Sequence, residues 1–159
     1  MTLYVRSAIW LVLPLLADVV APVAIADAQS ARVDLASWQA GGLVLVFLGG
    51  LLLVDCVFLR FAREGRGTLV IFDAPRFVVR GGSYQHVRNP MYVANITIVL
   101  GLSVLYASWA VLAWAITLFV VFHLFVVLYE EPTLLRTFGD DYATYRRRVR
   151  RWLPRLSRG

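Results

Sequence analysis

Four long apolar stretches divide the chain, and charged residues gather between and after them. They cover about residues 8–26, 41–61, 90–106 and 109–129. The first is interrupted by Pro14, Asp18 and Pro22. A hydrocarbon core of about 30 Å takes about 20 helical residues, so each stretch can span it, the third being the shortest. Only Ala107-Ser108 separates the third from the fourth, which predicts a tight helical hairpin with Tyr106 and Trp109 at the interface. After Pro132 the pattern turns amphipathic. Residues 133–148 predict an interfacial helix broken at Gly139, with Leu134, Leu135 and Phe138 toward lipid and Tyr142 and Tyr145 three apart on one face. Gly65-Arg66-Gly67-Thr68 and Asp73-Ala74-Pro75 mark turns between spans two and three, and Phe77-Val78-Val79 predicts a short strand or interfacial segment. The expected fold is an all-α integral membrane protein of about four transmembrane helices. It forms one membrane domain over 1–159, with a two-helix part over 1–62 and a core over 67–159, and it ends in a cytoplasmic interfacial helix.

Composition supports the membrane reading. Of 159 residues, 60% are hydrophobic, and the mean hydropathy is +0.70. A soluble domain is about 45–50% apolar. The formal charge of +6 is carried entirely by arginine. No basic stripe with interleaved aromatics lies on a polar domain, so nucleic acid is not an expected partner. Membrane lipid is: the cluster Arg146-Arg147-Arg148 with Arg150 and Arg151 suits an anionic surface. Of sixteen arginines only Arg32 falls between spans one and two; the others precede span one, lie between spans two and three, or follow span four. The positive-inside rule then puts both termini and the long middle segment in the cytoplasm, at a bacterial inner membrane. A rival reading takes Arg6, the first apolar run and Ala24-Ile25-Ala26 as a cleaved signal peptide, which the interrupting Asp18 and prolines fit poorly. The single cysteine, Cys56, has no partner for a disulfide and reads as a small buried hydrophobe. No metal site is expected.

Chemistry concentrates where spans three and four return to the cytoplasmic boundary. Asn89 suits an N-cap and Pro90 the first helical position, so span three should begin there. A helix start favours anions, and Arg88 and Tyr92 stand beside it. Glu130 and Glu131 close span four, against the helix dipole and against each other, and Pro132 disfavours helical geometry at Glu131. The two carboxylates need a cation: Arg88 across the hairpin, or a ligand. Two readings stay open. Arg88 and the glutamates form ion pairs that anchor the hairpin, or one pole takes an anion and the other a cation. A zwitterion with extra positive charge, such as S-adenosylmethionine, fits the second. His123 lies seven residues before Glu130 on the same helix face and is either a base or a satisfied polar contact. Asp18 and Asp55 are intramembrane carboxylates and thus candidates for function. Gly41-Gly42 and Gly49-Gly50 suggest close helix packing.

The run Gly82-Ser83-Tyr84-Gln85-His86-Val87-Arg88-Asn89-Pro90-Met91-Tyr92 resembles the start of the conserved core of the isoprenylcysteine carboxyl methyltransferase family. Glu130-Glu131-Pro132-Thr133-Leu134-Leu135-Arg136-Thr137-Phe138-Gly139-Asp140-Asp141-Tyr142-Ala143-Thr144-Tyr145, followed by Val149-Arg150-Arg151-Trp152, resembles its other half. The phospholipid N-methyltransferases share this architecture. The resemblance covers about residues 67–159. It implies an integral membrane methyltransferase that converts S-adenosylmethionine to S-adenosylhomocysteine, with a lipophilic small molecule or lipid as acceptor. It also implies a cofactor pocket of Tyr84, Arg88, Asn89, Pro90, Tyr92, Glu130 and Glu131, closed by Tyr142, Tyr145 and Arg151. Asn89 stands where eukaryotic members usually have His, which argues against a titrating base there. Arg150 stands where many bacterial relatives have Pro, which puts the path of the tail in doubt. No Gly-rich loop between a strand and a helix supports a Rossmann-type fold.

The candidate catalytic residues are therefore Arg88, Glu130, Glu131 and His123. Methyl transfer from a sulfonium is an in-line displacement that needs alignment and exclusion of water. A carboxylate acceptor needs no base, whereas an amine would need His123 or a glutamate. The scarcity of a dedicated base favours a carboxylate, as in an isoprenylcysteine-like molecule, or a thiol-like acceptor. Phospholipid headgroup N-methylation is the nearest rival. A non-catalytic membrane protein with a lipid- or partner-binding arginine tail is the rival of another class.

Overall fold

The computed structural model describes residues 16–56, 78 and 80–154. Among them every regular element is helical. The turns expected at 65–68 and 73–75 lie outside the described residues, as do Phe77, Val79 and the start of the first apolar stretch.

A π turn, Leu16–Val20, leads into α1, Ala21–Ala28, and its wider spacing accommodates the N–H missing at Pro22. A single 3-10 turn, Trp38–Ala40, capped by the Ser37 hydroxyl, opens α2, Gly41–Val54. A second 3-10 turn, Gly82–Gln85, precedes α3, Pro90–Leu105. The expected hairpin follows. Ala107 turns the chain at φ 47°. The Ser108 hydroxyl then accepts from Val111 N at 3.2 Å and caps α4, Trp109–Phe125. The same hydroxyl bonds Gln29 at the end of α1.

Span four does not end at the glutamates. A π turn, Val126–Glu130, carries α4 directly into α5, Glu131–Arg148. Glu131 keeps helical angles (φ −61°, ψ −43°) despite the proline after it. Pro132 has no N–H to give the carbonyl four residues back, and the wider turn accommodates that loss. The helix breaks instead at Gly139 (φ 50°, ψ −125°), where the sequence pattern places the break.

The core is the seam of three helices: Ala26 of α1, Val99, Leu102 and Leu105 of α3, and Val111, Ala115 and Leu118 of α4. Trp114 Nε1 also donates to Ala17 O at 2.8 Å, tying α4 to the first turn. On the other side of α3 packing is backbone on backbone. A Cβ on Gly42 would sit 2.6 Å from Leu105 N, and one on Gly49 would sit 2.9 Å from Ala94 O. Their neighbours Gly41 and Gly50 face open space, so one glycine of each pair makes the seam.

The outward faces are apolar. Val44, Phe47, Leu48 and Leu51 of α2 and Ile116, Val120, Val121 and Leu124 of α4 are all exposed, more apolar surface than a water-soluble chain of this size presents. The continuous run Trp109–Arg148 is the one helix among the described residues long and apolar enough to cross a membrane. Trp38–Val54 and Pro90–Leu105 are shorter apolar helices. Four crossings, as the sequence pattern predicts, are thus not established by helix length. The apolar part of Trp109–Arg148, residues 109–129, is alone about 30 Å long and matches the hydrocarbon core, so the charged part from Glu130 onward, which bends at Gly139, lies beyond the apolar span.

Candidate functional site

The 3-10 turn at Gly82–Gln85 is held against α2 by a bond from the Ser83 hydroxyl to Asp55. This gives Asp55 a place in positioning the site. The chain then passes through Val87, Arg88 and Asn89 to the start of α3. The tail comes back along it: Val87 pairs in parallel with Arg150, and Arg88 N donates to Arg150 O at 2.8 Å. Arg150 acts here through its backbone, so the tail docks without any contact from the Arg150 side chain in this pairing.

Asn89 does not cap α3. Its backbone (φ −124°, ψ 55°) makes no side-chain cap, and its Nδ2 donates to Arg151 O at 3.2 Å instead. The side chain is used to hold the tail, and the first amides of α3 keep no side-chain acceptor.

Charges at the centre are paired unequally. Glu131, its side chain 7% exposed, accepts from Arg151 through both oxygens, at 2.8 and 3.0 Å. It also meets Arg88 Nη2 at 3.1 Å, with the Arg88 side chain 8% exposed. Burial pushes the Glu131 carboxyl up, but the Arg151 hydrogen bond and the charges of Arg88 and Arg151 outweigh it and hold the group below the usual carboxylate range. Arg88 Nε and Nη1 are buried and meet no carboxylate, with the Tyr142 phenol beside the guanidinium. Glu130 takes the opposite role: its Oε2 accepts from Tyr92 Oη at 3.1 Å, and no arginine among the described residues pairs with it.

Tyrosines line the water side. Tyr145 Oη donates to Tyr84 O at 2.7 Å, and the Tyr142 and Tyr145 rings lie 6.1 Å apart. Burial raises the Tyr84, Tyr142 and Tyr145 phenols above their usual range, so all three stay neutral. Every residue of the expected cofactor pocket is therefore brought into one cluster at the start of α3 and the π turn.

His123 lies on the α4 side of that cluster. Its Nδ1 accepts from Trp152 Nε1 at 3.1 Å. Trp152 also meets Phe119 and Tyr92, with ring centroids at 5.2 and 6.5 Å. Tyr92 stacks on Phe122 at 4.8 Å. The His123–Trp152 and Asn89–Arg151 bonds were not visible in the sequence pattern, because each joins residues far apart in the chain. The adjacency of Trp152 to Arg151 is the only local signal for the former.

The site joins basic and acidic motifs at one end of an apolar helical scaffold, and comparison with known families gives that arrangement a class. A family model described as phospholipid methyltransferase (PEMT) matches residues 38–141, more than half of the chain. The chain belongs to this family, which is related to the isoprenylcysteine carboxyl methyltransferases. The matched span contains Arg88, Asn89, Tyr92, Glu130 and Glu131 and stops before Tyr142, Tyr145 and Arg151. No curated protein matches the chain.

Proposed function

We propose that the protein uses S-adenosylmethionine to methylate a lipophilic acceptor at the cytoplasmic boundary of the membrane. The unequal pairing of charge carries this reading. Arg88 keeps two buried nitrogens that no carboxylate meets, and Glu130 has no cation among the described residues. A buried guanidinium edge left open suits a carboxylate, and a shielded carboxylate left open suits an ammonium or sulfonium. S-adenosylmethionine has all three groups, and when bound it supplies an electrophilic methyl on its sulfonium. Arg88, the α3 start at Asn89-Pro90, Tyr92 and Glu130 would hold it. Glu131 fixes Arg88 and Arg151 in place, and Tyr84, Tyr142 and Tyr145 exclude water from the tail side.

Two acceptor classes fit. The family's description favours a phospholipid headgroup amine, and Glu130, free of arginine, is the base this site offers for its proton. An isoprenylcysteine-like carboxylate needs no base, which suits a site whose histidine Nδ1 is already committed. Thermal unfolding of detergent-purified protein tests the cofactor: both S-adenosylmethionine and S-adenosylhomocysteine should stabilise it, and Glu130→Gln should abolish the shift. No shift with either ligand in folded protein would refute the reading. Vesicle binding without such a shift would leave only a lipid-binding role for the arginine tail. Transfer of labelled methyl into a lipid extract then separates the acceptors, since alkali releases the label from an ester and not from an amine.

A further inference from the structure

The tail residue after Arg151 faces the opposite solvent. Arg151 pairs with Glu131 on the water side, and Trp152 turns to the apolar face of α4. There it packs edge-on to Phe119, which is 39% exposed, and Leu153 beyond it is 72% exposed. These are lipid-side neighbours. Trp152 also stands beside Tyr92, the residue that bonds Glu130. Phe119, His123, Tyr92 and Trp152 thus form an aromatic wall between the outer face of α4 and the cation-favouring pole. An indole only donates, so the His123 nitrogen it meets is the acceptor, and the proton of the neutral ring sits on Nε2. That bond fixes which way the indole plane lies.

We propose that Trp152, held by His123, is the residue a lipophilic acceptor must pass to reach the site, and that it sets which acceptors fit. His123 is then a positioning residue acting through Trp152 and not the proton acceptor. The acceptor role rests on the methyltransferase reading; the lipid-facing, His123-held position of Trp152 does not.

The test uses the full chain with Trp10, Trp38 and Trp109 replaced by Phe. Trp114 is kept for its bond to Ala17, and its emission is subtracted using a matched Trp152→Phe chain. In phosphatidylcholine vesicles without cofactor, lipid brominated near the carbonyl end of its acyl chains should quench the Trp152 component, and aqueous iodide should not. His123→Leu should shift that component to longer wavelength and open it to iodide. His123→Asn, which keeps an acceptor near the Nδ1 position, should restore the parent spectrum. His123→Ala reads the same bond if Leu is not tolerated. Quenching by iodide and not by bromolipid in the parent overturns the proposal, as does an unchanged spectrum in both His123→Leu and His123→Ala. With labelled S-adenosylmethionine, His123→Leu should raise the half-saturating concentration of lipid extract about tenfold, the loss of one net hydrogen bond. S-adenosylhomocysteine affinity should stay within about twofold, a difference too small to count as a lost contact. A tail that only closed the cofactor side would lose S-adenosylhomocysteine affinity and leave lipid saturation unmoved, which also overturns the proposal. The fluorescence arm stands without cofactor, so failure of the S-adenosylmethionine reading is seen separately.

Discussion

Replacing Glu131 by Gln removes the charge at the centre of the site. The side chain keeps its length and one acceptor oxygen, while the second acceptor used by Arg151 becomes an amide donor. Arg88 is left 8% exposed with its only ion pair removed, while Arg151 at 29% can turn partly to water. Removing one partner of a buried pair costs about 3–5 kcal/mol. The partial exposure of Arg151 points to the lower end, about 3 kcal/mol. On the scale of soluble domains of this length, about 2–4 °C per kcal/mol, the midpoint should fall by about 6–12 °C. Arg151→Gln should cost less, about 1.5 kcal/mol, because Arg88 still meets Glu131. The exposed Arg80–Asp141 pair, at 3.4 Å, gives the control: Asp141→Asn should move stability by less than about 1 kcal/mol. The assay is thermal unfolding in one detergent across a pH series. Glu131 has its folded pKa below the ordinary 4.5. Its stabilisation is therefore full above that value and is lost as pH falls through the native pKa. The gap between parent and Glu131→Gln should be constant near neutrality and narrow in acid. A midpoint no lower than that of Asp141→Asn, or a gap that widens on acidification, would refute the buried-triad account.

Three further outcomes follow from local geometry. Gly42→Ala places a methyl against the Leu105 backbone and should cost about 1–3 kcal/mol, whereas Gly41→Ala, which meets nothing within 4 Å, should be neutral or gain up to about 1 kcal/mol, both read as midpoint shifts. Gly139→Ala forces a side chain onto φ 50°, ψ −125° and should cost about 1–3 kcal/mol, with faster proteolytic cleavage of α5 as an independent readout. Ser108→Ala removes the cap on Val111 N and should cost about 1 kcal/mol in midpoint, with Ser108→Thr retaining most of it.

The hairpin, the kink and the meeting of the two motifs were legible because each is written locally. Ala107-Ser108 leaves no room for a longer connection, Gly139 interrupts an amphipathic pattern, and a short hairpin must return span four to the depth where span three began. What the pattern misplaced depends on partners far along the chain. Asn89 has the right chemistry for a cap, but the returning tail offers Arg151 O, and the side chain bonds it. Pro132 reads as a helix end, yet one wider turn absorbs its missing N–H and lets the helix run on. The two glutamates look equivalent in sequence. They differ because successive side chains on a helix point in different directions, and only Glu131 faces the arginines.

The wide turn at Val126–Glu130 has a consequence for how this region tolerates length changes. It acts as a phase shifter: residues before it keep the angular register of the span, and residues after it keep that of the tail. Glu130 is timed to the first and Glu131 to the second. Inserting a single residue between Glu130 and Glu131 would rotate all of α5 by about 100° relative to the span. The composition would hardly change, yet Glu131 would be carried away from Arg88 while Glu130 stayed near Tyr92. Substitutions in the turn should therefore be far milder than insertions or deletions of one residue.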